Sequence, residues 1–88
     1  MTQESAEALA LNCLQFLASE PERLGRFLAL SGAGPDDLKN GLTNSAFLGG
    51  VLDYVLADET LLYLIAESTS QPIDSFSNAR KYLPGSQN

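Results

Sequence analysis

The chain has 88 residues, 44% of them hydrophobic and only 18% charged, enough for one modest core and too apolar for a disordered segment. Eleven acids against five bases leave a net charge of −6, which opposes coating of nucleic acid and adhesion to anionic membranes. No histidine, no tryptophan and one cysteine exclude an intrachain disulfide and histidine-based metal or proton chemistry.

Thr2 stands before a segment in which Ala6, Leu9, Ala10, Cys13, Phe16 and Leu17 recur at three- and four-residue steps. That spacing predicts a first helix over Gln3–Ala18, capped by Thr2, with Leu11 and Leu14 widening its apolar face. Residues 1–5 lack the basic start of a signal peptide. Residues 9–18 are too short to span a bilayer, and Asn12 and Gln15 interrupt them. The expected setting is cytoplasmic, with no membrane association.

Ser19-Glu20-Pro21-Glu22 matches a capping box, with Ser19 expected to cap and Glu22 to reach back. Pro21 suits a first helical turn. The second helix carries Leu24, Phe27, Leu28 and Leu30, and Glu22 and Arg26 are spaced for an ion pair one turn apart. Gly32 is the expected left-handed stop. Pro35 opens a short third helix through residue 40, anchored by Leu38 and ended by Gly41.

Asn44 is placed to cap a fourth helix over residues 45–57, with Leu48, Val51, Leu52 and Val55 as its stripe and Phe47 and Tyr54 on one flank. Gly49-Gly50 conflicts with it, since each interior glycine costs roughly 1 kcal/mol against alanine. Either this helix starts late, or a neighbouring helix passes close to that backbone. Asp58 caps a fifth helix over Glu59–Thr69, whose Leu61-Leu62-Tyr63-Leu64-Ile65-Ala66 run is apolar nearly all round and reads as the central buried helix. A sixth helix over residues 72–83 shows Ile73, Phe76, Ala79 and Leu83, and a frayed tail is expected over residues 84–88. The fold expected is all-α, a compact bundle of five to six short helices in a single domain, with its ordered core over about residues 3–83.

Nine of the eleven acids fall in or near first helical turns, and Lys39, Arg80 and Lys81 fall in last turns, where the helix dipole favours each sign. Only Asp53 and Glu67 lack such a role, and Asp53 is expected to face water. Cys13 lies on an apolar face with no base near it, and no G-x-S-x-G elbow occurs. Neither Asp36-Asp37 nor Asp58-Glu59 sits in a calcium-binding spacing. The Gly32-Ala33-Gly34 loop is followed by acids, which repel an anion. No catalytic, metal or cofactor residue is assigned, and a non-catalytic role is expected.

Tyr63 shares a helix face with Thr60 and Glu67. Tyr54, Tyr63, Glu67 and Tyr82 are therefore the candidate partner-binding residues of a protein-interaction domain, with a homodimer as one form and an acidic surround that favours a basic partner. The alternative is a DNA-binding helix–turn–helix protein using the last helix over residues 72–83, with Gln71, Asn78, Arg80 and Lys81 facing the duplex.

Ala8-Leu9, Leu14, Phe16-Leu17-Ala18, Pro21-Glu22-Arg23-Leu24, Arg26-Phe27-Leu28 and Gly32 occur in order, followed by Pro35, Leu38, Phe47-Leu48, Val51-Leu52-Asp53, Asp58-Glu59 and Leu61-Leu62. In this pattern, from about Ala8 to Leu83, the chain resembles a small bacterial family catalogued as domain of unknown function 3572. The resemblance implies a small cytoplasmic all-helical domain and assigns no catalytic residue. Gly49-Gly50 and Ser68-Thr69-Ser70 depart from it.

Overall fold

A computed structural model describes residues 1–32, 34–41 and 44–84, with the backbone alone for Pro35, Asp37 and Leu38. It contains α1 (Gln3–Ala18), α2 (Pro21–Ser31), α3 (Pro35–Gly41), α4 (Ser45–Leu56), α5 (Glu59–Thr69) and α6 (Asp74–Arg80), and no strand among the described residues. The fold is all-α.

Short polar residues set three of the helix starts. Thr2 and Ser5 form a reciprocal capping box at α1, with Ser5 N–H donating to Thr2 Oγ1 at 3.1 Å and Thr2 N–H to Ser5 Oγ at 2.9 Å. Asn44 Oδ1 accepts from the Ala46 and Phe47 amides at 2.9 and 3.2 Å, and Asp58 Oδ1 from the Leu61 amide at 3.1 Å. Gly32 ends α2 at φ +75°, a conformation that costs a residue with a Cβ.

The second helix start differs from expectation. Ser19 does not cap α2; its hydroxyl donates back to the Phe16 carbonyl at 2.6 Å and it closes α1. Glu20 takes the entry position of α2 without a capping side chain, and Pro21 follows in the first turn. The Glu22–Arg26 pair does not form; Arg23 pairs with Glu20 instead.

α1 and α4 pack most extensively on each other, α6 lies across both, α2 packs on α1, and α5 leans on α4 and α1. Leu17 and Cys13 of α1, Val51, Leu52 and Val55 of α4, and Phe76 of α6 are almost wholly buried at this junction. The central element is therefore the α1–α4 pair, not α5. Only Leu61, Leu62, Ile65 and Ala66 of α5 are buried. At about 100° per residue those four positions cover less than half of the helix circumference. Leu30, expected on the inner face of α2, is exposed. The side chain of Leu38 lies outside the described residues.

The last helix is also shorter than expected. Before Asp74 and after Arg80 the chain turns through bonds three residues apart, Phe76 N–H to the Ile73 carbonyl at 3.3 Å and Tyr82 N–H to the Ala79 carbonyl at 3.0 Å. These tight turns replace α-helix at both ends. Of the expected tail, residues 85–88 lie outside the described residues, and the Pro84 carbonyl is held by Arg80 Nη1 at 3.3 Å.

The double glycine resolves in favour of a close crossing. Both glycines are inside α4. A Cβ on Gly49 would sit 2.9 Å from the Pro84 carbonyl oxygen and 3.0 Å from Arg80 Nη1, whereas one on Gly50 meets nothing within 4 Å. The two positions should respond with opposite sign. Gly50→Ala is expected to stabilise by about 0.5–1 kcal/mol through helix propensity. Gly49→Ala is expected to destabilise by about 1 kcal/mol net, because the overpacking strain exceeds the same gain. Thermal melts followed by circular dichroism check the pair, and a stabilised Gly49→Ala would rule out the close crossing.

Candidate interaction surface

The exposed half of α5 combines large apolar side chains with unpaired charge. Glu59, Thr60, Tyr63, Leu64, Glu67 and Ser68 all point outward, with Tyr63 54% exposed. Asp58 fixes where this helix begins, and its four buried residues fix which side faces the core. Glu59, Tyr63 and Glu67 follow at four-residue steps, so they line one ridge, with Thr60 and Leu64 beside it. Neither Glu59 nor Glu67 enters an ion pair or a side-chain hydrogen bond among the described residues.

The other candidate tyrosines lie elsewhere. Tyr54 is half-buried, with its ring edge against Phe27 at 5.2 Å and 76°. Tyr82 is 46% exposed in the turn after α6. No ring contact joins Tyr54, Tyr63 and Tyr82 among the described residues. The structure thus brings Tyr63 and Glu67 together and leaves Tyr54 in the aromatic packing of α2 on α4.

The charges of the DNA alternative separate in the same way. Gln71, Asn78 and Lys81 are exposed. Arg80 is buried, with 8% exposure, and its guanidinium grips Asp53 through Nε–Oδ1 at 2.7 Å and Nη2–Oδ2 at 3.1 Å. Its Nη1 donates to the Leu83 carbonyl at 2.9 Å. Asp53 keeps solvent exposure but is a partner of Arg80, not a free surface acid. This half-buried link between α4 and the end of α6 was not visible in the sequence.

Glu7 is half-buried and accepts from the Ser45 hydroxyl, which ties α1 to the first turn of α4. Arg23 lies over the Phe16 ring at 5.8 Å beside a shallow depression lined by Ser19, Glu20 and Arg26. A second open depression lies between the ends of α1 and α5, among Asn12, Gln15, Phe16 and Thr69. Neither is enclosed, and neither contains a buried ionisable group. Cys13 is wholly buried, and loss of solvation pushes its thiol up to about 12, so it stays protonated and non-nucleophilic at neutral pH. Among the described residues no three His, Cys, Asp or Glu side chains come together as metal ligands, and no helix is long and apolar enough to cross a membrane.

Residues 3–86 match the family model described as "Protein of unknown function (DUF3572)", a span wider at both ends than the resemblance read from the sequence. No curated protein and no solved structure matches the chain.

Proposed function

We propose that this chain, which belongs to the DUF3572 family, is a non-catalytic cytoplasmic interaction domain that binds another protein through the outer ridge of α5. One observation carries the reading. A tyrosine and a leucine stand exposed on a helix whose opposite side is fully used in the core. A half-exposed tyrosine flanked by leucine supplies a large, rigid, amphipathic contact that loses little side-chain entropy on binding.

Tyr63→Asp tests this. The ring lies outside the core cluster, so far-UV circular dichroism should be unchanged, and stability should fall by no more than about 1 kcal/mol, the cost of a carboxylate one turn from both Glu59 and Glu67. Capture of the cognate partner from native extract should fall at least about tenfold. Leu30→Asp, at an exposed apolar position on α2, is the matched control and should leave capture intact. Equal recovery by wild type and Tyr63→Asp would remove α5 from the interaction.

A further inference from the structure

The α5 ridge carries one carboxylate a helical turn before Tyr63 and another a turn after it. Glu59 and Glu67 are eight residues apart, about 12 Å along the axis at 1.5 Å per residue. Neither has a partner within the chain among the described residues. This arrangement discriminates between occupants.

A second copy of the chain fits poorly. Antiparallel pairing of two α5 ridges centred on Tyr63 puts Glu59 opposite Glu67 of the second copy, at both ends of the contact. Parallel pairing sets Glu59 against Glu59 and Glu67 against Glu67. Every register that stacks the tyrosines opposes like charges, and a net charge of −6 on each copy adds to the repulsion. A ridge of side chains along one helix is a surface that a partner helix meets by interdigitation. A helix with cations eight residues apart and an apolar residue midway reproduces the spacing with the opposite sign.

Resting on the interaction reading above, we propose that the α5 ridge receives a basic helix of a different protein, with two of its cations meeting Glu59 and Glu67 and an apolar side chain between them packed on Tyr63 and Leu64. The probe is a synthetic 18-residue amphipathic helix with arginines eight residues apart and leucine midway. One control peptide has the same composition with the arginines adjacent, and another has glutamates in place of the arginines. Titration into isotope-labelled protein should shift backbone amides confined to residues 58–69 for the first peptide only. Glu59→Gln with Glu67→Gln should weaken binding about fivefold. Removing two other acids, Glu4→Gln with Glu22→Gln, should change it less than about twofold. Glu59→Lys with Glu67→Lys should switch preference to the glutamate peptide.

Equal binding of the adjacent-arginine peptide, or equal weakening by the Glu4 and Glu22 changes, would overturn the inference and show general attraction to an acidic protein. A dimer in sedimentation analysis that Tyr63→Asp dissolves would also overturn it, while leaving the interaction reading in place. Absence of peptide binding would overturn the basic-helix inference alone, whereas equal capture from native extract by wild type and Tyr63→Asp would overturn the interaction reading with it.

Discussion

Phe27→Ala is expected to cost about 4 kcal/mol, because it empties the one fully buried position of α2. The ring stands edge-on to Phe47 at 5.9 Å and 82° and to Tyr54 at 5.2 Å and 76°, and each such pair adds about 0.5–1.5 kcal/mol beyond area burial. Leu24 and Leu28 only half-bury against the core, so they do not replace it. A domain of this size has about 4–13 kcal/mol of stability in total, and the loss is a large fraction of it. Urea unfolding should show the fall, and amide exchange in α2 should become fast before that in α1, α4 and α6. Phe27→Leu keeps most of the volume and should cost no more than about 1.5 kcal/mol. A Phe27→Ala variant within about 0.5 kcal/mol of wild type, the ordinary range of surface changes, would mean that α2 is held by something other than this ring.

The contrast between legible and illegible features follows the range of the interactions. Thr2, Gly32, Asn44 and Asp58 act within three residues of themselves, so their roles are written in the local sequence. Ser19 is also local, yet it had two possible jobs. Only Ser19 and Glu20 separate α1 from α2, and the hydroxyl closes the first helix before it can open the second. The run from Leu61 to Ala66 could not reveal how many neighbours it would meet. With α1 and α4 forming the centre, α5 has support on one side only, and Tyr63 and Leu64 are left outward.

The same limit governs the candidate site. Tyr63 and Glu67 share one helix, so helical spacing alone joined them. Tyr54 and Tyr82 depended on tertiary placement, which sent the first to Phe27 and the second to a turn. Arg80 and Asp53 are 27 residues apart, and no local pattern connects them. The trace they left was Gly49, one turn before Asp53 on the same helix, where a missing side chain makes room for the guanidinium.

Replacing that guanidinium gives the second large effect: Arg80→Met should lose about 3 kcal/mol, a fall in Tm of roughly 12–20 °C for a domain of this size. The cost is mostly not that of an abandoned carboxylate. The Asp53 side chain is 59% exposed, so it returns to water when its partner goes. What is lost is the pair of carbonyl bonds at Leu83 and Pro84, together with the packing of the guanidinium on Gly49. Arg80→Lys keeps the charge but has no planar fork with which to reach Asp53 and the two carbonyls together, so it should recover less than half of the loss. Asp53→Asn should cost about 1–2 kcal/mol, since it leaves a buried cation with only partial compensation. The Gly49→Ala penalty should shrink in the Arg80→Met background, because two of the three closest atoms belong to Arg80. Independent penalties for Gly49→Ala and Arg80→Met, adding without any coupling, would mean that the crossing of α4 by the chain end does not depend on this arginine.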